Sequence, residues 1–534
     1  MVRCPARCPA QRKFPPVGFH PFSIRLLAWI ALAVMAGPGH SDLLAAQDAS
    51  RPLNVLVLYA DDLGFGDLSI QNPKSKIPTP GLDSLARSAM RFTDGHSSSG
   101  ICTPSRYAML TGRHHWRDFH GIVNAFGKSV FDPDRLTMPE MMQQAGYRTA
   151  AIGKWHLGWD WDAVKRPGAK PMGKGRKAGF GPDAFDWDKA IPDGPTAHGF
   201  DSYFGDSVIN FPPYGWIEND RVVTAPDQIM DTSKWKPIKE GNWECRPGPM
   251  VAGWDPYQVL PTITQRGIDF IHQQKDSDQP FFLYFAFPSP HAPIIPNDSF
   301  DGKSQAGPYG DFVCETDDSV GRLLAALEQS GQSQNTIVIF SADNGPEKYA
   351  YARDQKFDHW SSAPLRGLKR DVYEGGHHVP MIIRWPGVTQ AGQVNDALVS
   401  QIDLMATLAG YLNVDLPADA AEDSHDLMPL LTGQAESVRQ EHVHNTFDGQ
   451  YAIRSGPWLL VDAKNGYRSQ RDQAWETKHG YAADDDQPAE LYHLGNDIGQ
   501  RHNLAADHPE KVSRLRAKLQ QIRDAGKSAP RLAN

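Results

Sequence analysis

The sequence predicts an α/β fold: a large, mixed but mostly parallel sheet flanked by helices, with a smaller α+β subdomain at the C-terminal end. Three observations carry this. Short, nearly continuous apolar runs recur along the first two-thirds of the chain, as in strands buried on both faces of a sheet. Helix-period apolar stripes separate them. After about residue 435 the pattern changes to a pair of short strands and one last amphipathic helix.

Each element has its own signal. The first strand is Leu53 to Tyr59, LNVLVLY, and it runs into Asp61-Asp62-Leu63-Gly64. Thr79 and Pro80 stand as N-cap and first residue of a helix whose face is Leu82, Leu85, Ala86 and Ala89. A second helix covers about Pro139 to Ala145 and stops at Gly146, a glycine in the C′ position. The strand Tyr147 to Ile152 follows it directly. Further strands are Phe281 to Phe287 and Thr336 to Phe340, separated by a helix from about Asp311 to Gln329. Ala452 to Val461 reads as a strand pair broken at Gly456-Pro457, and the last helix is Pro509 to Arg523, striped by Val512, Leu515, Leu519 and Ile522.

Other stretches do not read as packed fold. Leu26 to Ala36, LLAWIALAVMA, is preceded by Arg12, Lys13 and Arg25. It is too short to span a bilayer and fits the apolar region of a secretory signal, so residues 1–46 are expected to be removed after a point between 36 and 46. Residues 160–260 are rich in Gly, Pro, Trp and Lys. Their basic run, Lys165, Arg166, Lys170, Lys174, Arg176 and Lys177, reads equally as a solvated loop or a substrate contact.

Composition excludes several classes. The 534 residues carry a net charge of −9, which argues against nucleic-acid binding through a basic footprint. A mean hydropathy of −0.49 excludes a polytopic membrane protein. The sequence shows no internal repeats. Of five cysteines, Cys4 and Cys8 leave with the signal, and Cys102, Cys245 and Cys314 remain. An odd number in an exported protein needs an explanation. Cys245 and Cys314 could pair with each other, or Cys314 could be plain core on its helix.

Two strands end in pairs of oxygen ligands. Asp61-Asp62 follows the first strand, and Asp343-Asn344 follows Thr336 to Phe340. Ligands of open α/β sheets bind beyond the carboxyl ends of strands. Three carboxylates and an amide suit a hard divalent cation, Ca²⁺ or Mg²⁺. No HxxxH or CxxC lies nearby, which disfavours zinc there. Either pair alone would read as a turn.

Cys102 stands in Cys102-Thr103-Pro104-Ser105-Arg106, followed by Thr111-Gly112-Arg113. Further along come Gly146-Tyr147-Arg148-Thr149, Gly153-Lys154-Trp155-His156-Leu157-Gly158, Leu365-Arg366-Gly367-Leu368-Lys369 and Tyr373-Glu374-Gly375-Gly376. With the two acidic pairs, these strings resemble the type I, formylglycine-dependent sulfatase (arylsulfatase) family, over about residues 52–505. The resemblance implies an alkaline-phosphatase-like fold, with a catalytic domain over 47–435 and a C-terminal subdomain over 436–534. It implies that Cys102 is oxidised by a formylglycine-generating maturation enzyme to an aldehyde, whose hydrate attacks sulfur. Asp61, Asp62, Asp343 and Asn344, with the converted Cys102, would hold the cation. Lys154 and Lys369 would hold sulfate oxygens, and Arg106 would orient the hydrate. His291 would protonate the leaving alcohol, and His156 would take the proton that reopens the aldehyde.

The same resemblance implies a sulfated carbohydrate or aryl sulfate as substrate, with 4- or 6-sulfated galactose or N-acetylgalactosamine as the expected type. The signal-like segment and the acidic composition point to a periplasmic or secreted protein with no nucleic-acid or integral membrane partner. Trp155, Trp159, Trp161, Tyr214 and Trp216 could stack on sugar rings, although core packing is the ordinary role of such residues. Two departures stand out. His378 occupies a position where many members have Arg, and Ser207 is only a weak counterpart of a hydroxyl residue that some members have. Relatives sharing this metal site and nucleophile include phosphonate and phosphate ester hydrolases, which leaves that activity as an alternative. A catalytically silent carbohydrate-binding protein would need an altered nucleophile or ligand, and none is altered.

Overall fold

The computed structural model describes residues 52–173, 179–481 and 486–530. The expected signal segment, and Lys174, Arg176 and Lys177 of the basic run, lie outside the described residues.

Sixteen strands are described: β1 (Asn54–Ala60), β2 (Met90–His96), β3 (Arg148–Lys154), β4 (Ser202–Ser207), β5 (Ile217–Glu218), β6 (Arg221–Val222), β7 (Gln228–Ile229), β8 (Pro249–Met250), β9 (Phe281–Ala286), β10 (Thr336–Ala342), β11 (Met381–Arg384), β12 (Gln393–Ser400), β13 (Glu441–Asn445), β14 (Tyr451–Ser455), β15 (Trp458–Val461) and β16 (Glu490–His493). The α-helices are α1 (Pro80–Arg87), α2 (Cys102–Thr111), α3 (Met138–Gln144), α4 (Val259–Gln273), α5 (Gly307–Gln329), α6 (Ala350–Phe357), α7 (Glu374–His377), α8 (Leu404–Leu412), α9 (Met428–Leu431), α10 (Gln473–Lys478) and α11 (Pro509–Asp524).

A ten-stranded sheet runs β12-β2-β11-β10-β1-β9-β3-β4-β5-β6. Its centre, β10-β1-β9-β3-β4, is parallel throughout. The antiparallel pairs are β10–β11, β11–β2, β4–β5 and β5–β6. The alternation along β1 shows why it is apolar throughout. Val55, Val57 and Tyr59 face one core with Tyr107, Met109 and Leu408. Leu56, Leu58 and Ala60 face the other, with Leu82, Ile263 and Leu323. Helices α2, α3 and α8 thus cover one face, and α1, α4 and α5 the other.

The C-terminal end forms a second, antiparallel sheet, β13-β14-β15-β16. The stripe of α11, Val512, Leu515, Leu519 and Ile522, packs on its Val443, Ile453, Leu460 and Leu491.

Several expectations shift. The long helix α5 starts at Gly307, with Pro308 in its first turn, four residues before the expected Asp311. Ala89 lies past the end of α1 and leads into β2, a strand whose half-buried Arg91, Thr93 and Asp94 break the apolar run that would have marked it. Cys245 and Cys314 are both free, so the possible disulfide is not made; the Cys314 thiol lies 3.4 Å from the Pro78 carbonyl. Trp155, Trp159, Trp161 and Tyr214 are core residues, each at most 4% exposed, and Trp216 stacks on Phe204, so this group is not an open sugar platform. Among the described residues, no helix is long and apolar enough to cross a membrane.

Candidate active site

Four adjacent parallel strands deliver one cluster. In the β1–β10 register Ala60 pairs with Ala342, so Asp61-Asp62 and Asp343-Asn344 leave the sheet side by side. Lys154 is the last residue of β3, and His291 follows β9. Gly153 makes the Lys154 position possible. It has φ +97°, and a Cβ there would stand 2.0 Å from the Ala286 carbonyl oxygen of β9.

Cys102 opens α2, every residue of which is buried. The helix ends at Gly112, left-handed at φ +64°, where a Cβ would meet Ala421 at 2.9 Å. The Thr-Gly after the cysteine motif therefore closes a helix packed on all sides. The Cys102 thiol lies 3.5 Å from Asp61 Oδ1.

The acids and cations interlock. Lys154 donates to Asp61, and Lys369 donates to Asp62 at 2.8 Å. Arg106 donates to Asp343 from Nε and Nη2, and its Nη1 lies 3.2 Å from the Tyr284 hydroxyl. Asn344 donates from Nδ2 to Asp62 at 2.8 Å and to the Gly345 carbonyl, while its Oδ1 is buried with no hydrogen-bond partner. Atoms of Asp61, Asp62, Cys102 and His291 lie within 4.8 Å of one another. Three buried carboxylates and an orphaned amide oxygen form an all-oxygen donor set, which fits a hard divalent cation.

The charges perturb one another. Burial, with the nearby Asp343, pushes Asp61 up to about 7. Burial also opposes ionisation of Asp343, but Arg106, Lys154 and Lys369 outweigh it and hold that carboxyl well below its usual range. Burial next to Asp343 pushes the Cys102 thiol far above its ordinary value. Burial and Lys369 push His291 down to about 3.

The two histidines are fixed differently. His291 Nδ1 is paired with its neighbour's carbonyl, Ala292 O, and its Nε2 stands 3.7 Å from Asp62 Oδ2. His156 has φ +56° and pairs Nε2 with the Val123 carbonyl at 3.0 Å. Its Nδ1 is buried without a partner.

The structure thus brings Asp61, Asp62, Cys102, Arg106, Lys154, His291, Asp343, Asn344 and Lys369 together. His378 takes no part: it pairs with Glu374 at 3.0 Å and the Thr93 carbonyl at 2.8 Å. Sequence reasoning missed Asp206. It is 2% exposed, both its oxygens lack partners, and burial raises its pKa to about 7, with Lys154 pulling the other way. The signal was present in Phe204-Gly205-Asp206-Ser207, but the expectation fell on Ser207, whose hydroxyl receives a long bond from Trp159 Nε1 at 3.4 Å. Glu347 was also missed; it binds Arg370 Nη1 at 2.8 and 2.7 Å beside Lys369.

A family model described as Sulfatase matches residues 53–414, and one described as N-sulphoglucosamine sulphohydrolase, C-terminal, matches residues 368–525. The chain is 30% identical over 517 residues to the N-acetylgalactosamine-6-O-sulfatase of Bacteroides thetaiotaomicron, covering 89% of this chain and 94% of that protein. It is 31% identical over 501 residues to Homo sapiens arylsulfatase A, covering 89% and 88%. A solved structure from work on the metabolism of multiple glycosaminoglycans by Bacteroides thetaiotaomicron superimposes with a TM-score of 0.74 at 28% identity, over 89% of this chain and all of that one. The phosphonate monoester hydrolase of Agrobacterium radiobacter shares the fold alone, with a TM-score of 0.54 at 18% identity over 89% and 96%. Likeness that runs through both sheets, at this identity, settles the assignment: the chain belongs to the formylglycine-dependent sulfatase family and is a sulfuric ester hydrolase.

Proposed function

We propose that this chain is an exported carbohydrate sulfatase that removes the 6-sulfate of N-acetylgalactosamine or galactose residues. The observation that carries the substrate is its 30% identity, along about nine-tenths of its length, to N-acetylgalactosamine-6-sulfatases of Bacteroides thetaiotaomicron and Homo sapiens. A cavity of about 480 Å³ beside Lys369 supports a polar substrate. Its lining includes Arg370, Arg468, Glu244, Glu347, Ser469 and Gln470, which suit sugar hydroxyls better than a flat apolar ring.

Asp61, Asp62, Asp343, Asn344 and the converted Cys102 would hold Ca²⁺ or Mg²⁺, which when bound neutralises the acidic cluster and acts as a Lewis acid. Conversion of Cys102 to formylglycine, by a separate maturation enzyme, supplies an oxygen nucleophile in place of sulfur. The thiol itself is a poor candidate, because a thiol nucleophile must ionise and burial beside Asp343 opposes that.

The remaining roles follow from donors and lone pairs. Lys154 and Lys369 bind sulfate oxygens, and their charge counts for more in this buried setting. His291 donates its Nδ1 hydrogen to Ala292, so Nε2, on the Asp62 side, must first take up a proton, against burial and with the Asp62 charge in its favour, before it passes that proton to the leaving sugar oxygen. His156 donates from Nε2 to Val123, so its orphan Nδ1 is the lone pair that accepts a proton from the nucleophile. Arg106 acts through Asp343 rather than on the nucleophile. Residues 1–46 direct export to the periplasm or medium. Residues 47–435 carry the chemistry, and 436–534 form the C-terminal subdomain.

The test is sulfate release by the matured protein from N-acetylgalactosamine 6-sulfate, the 4-sulfate, galactose 6-sulfate, an aryl sulfate and a phosphonate monoester. The 6-sulfates should turn over fastest. Faster hydrolysis of the 4-sulfate would overturn the position, and of the phosphonate would overturn the substrate class.

A further inference from the structure

A second cluster of ligand-type side chains lies outside the active site. His96 ends β2, Glu374 and His377 lie on α7, and His444 is on β13 of the C-terminal sheet. All four are fully buried. One ligand atom from each lies within 4.8 Å of all the others. His377 and His444 stack with ring centres 3.4 Å apart.

The hydrogen bonds leave lone pairs aimed at one another. His96 Nε2 pairs with Asp94 Oδ1 at 2.7 Å, and His377 Nε2 pairs with the Val372 carbonyl at 3.2 Å. Both partners are acceptors, so in each neutral ring Nε2 carries the hydrogen and Nδ1 the lone pair. Those two Nδ1 atoms face each other at 3.2 Å. Lone pairs at that distance repel unless a positive charge lies between them. A bridging proton would create an imidazolium at a fully buried position, and burial opposes that charge. Nor is His444 accounted for: neither of its ring nitrogens has a partner, and neither does Glu374 Oε1. Leaving three such buried atoms unsatisfied is costly.

We propose that His96, His377, His444 and Glu374 form a second metal site, holding one Zn²⁺ or similar transition-metal ion tetrahedrally. Two nitrogens bound to one tetrahedral ion at 2.0–2.1 Å stand about 3.3 Å apart, close to the His96–His377 Nδ1 separation of 3.2 Å. The ring centres of such a pair lie about 5 Å apart, as His96 lies from His377 at 5.4 Å and from His444 at 5.2 Å; the His444 ring, held by no hydrogen bond, turns out of its stack on His377 to reach the ion. Asp94 and the Val372 carbonyl already supply the outer hydrogen bonds that metal-bound histidines need. Four protein ligands leave no open position, so the site is structural. It ties the main sheet to the C-terminal sheet behind the turn that carries Lys369. Asp94, His378 and Arg454 line an open groove next to it, which gives an ion a way in.

The test begins with protein stripped of metal by a chelator and titrated with Co²⁺. One equivalent should develop the intense visible absorption of tetrahedral cobalt, and Zn²⁺ should abolish it. The oxygen ligands at Asp61 would give only a weak spectrum, so Asp61→Asn should keep the intense band and His444→Gln should lose it. A band that survives His444→Gln overturns the ligand set. Zinc-edge anomalous diffraction from unsubstituted, zinc-loaded protein needs no variant to fold. A peak between the two Nδ1 atoms is expected, and its absence overturns the proposal.

Discussion

Arg106 holds a single oxygen of Asp343 with two nitrogens, Nε at 3.0 Å and Nη2 at 2.8 Å, both on Oδ2. Oδ1 is left to the backbone N–H of Asp62, at 3.2 Å, and to the site beyond it. The arginine of the cysteine motif therefore orients Asp343, one of the ligands proposed for the cation. Arg106→Lys cannot make both bonds. It should weaken cation affinity by roughly 10–100-fold, as loss of an outer-shell partner does. Calorimetric titration of Ca²⁺ into the stripped protein measures it; unchanged affinity would return Arg106 to the nucleophile.

Cys102→Ala should fold normally, keep the cation and lose sulfatase activity. In active protein, peptide mass spectrometry should find Cys102 lighter by about 18 Da, from sulfur and a hydrogen pair exchanged for oxygen, a change off the usual thiol oxidation ladder. Full activity with an intact thiol would sink the mechanism.

Lys369→Ala should lower kcat by roughly 10²–10³-fold, the range for removing one charged donor from a transition state. Lys154→Ala should do the same. Steady-state kinetics on a 6-sulfated sugar provide the check. A change confined to KM would mean that these lysines bind the ground state only.

Asn344→Leu removes an oxygen that satisfies nothing else in the protein. The variant also loses the Nδ2 bonds to Asp62 and the Gly345 carbonyl, so it should melt lower in chelator, and it should in addition lose the upward shift that added Ca²⁺ gives the parent. Equal shifts in both would remove Asn344 from the ligand set.

Stability should fall as pH drops below about 6.5, the ordinary histidine value. Burial holds His114 down to about 3 and His425 to about 4 in the fold. Both are neutral when folded and gain a proton on unfolding at lower pH. The unfolded state therefore binds more protons, and stability present above 6.5 is lost toward 3–4. For fully buried His114 the slope approaches about 1.4 kcal/mol per pH unit. Urea melts from pH 7 to 4 should show a falling midpoint, and His114→Gln should flatten it.

The sequence by itself determined much of this protein. The unbroken apolar run of β1 could only be a strand covered on both faces, and the stripes of α5 and α11 could only be half-buried helices. The acidic pairs at the ends of β1 and β10 announced an oxygen-rich site, because two such pairs at two strand ends of an α/β sheet converge where ligands bind. What it left undecided depended on neighbours distant along the chain. The partner of Arg106 is Asp343, 237 residues away, brought alongside by the β1–β10 register. Asp206 is passed over in the sequence for its neighbour Ser207, because only the fold of β4 shows that its carboxylate is buried without a partner side chain. The aromatic residues after Lys154 went into the core, since no local pattern distinguishes a sugar platform from packing. His96, His377 and His444 are separated by 281 and 67 residues and carry no metal-binding spacing. Only the tertiary fold sets the Nδ1 atoms of His96 and His377 face to face and, through β13 of the second sheet, lays His444 against them.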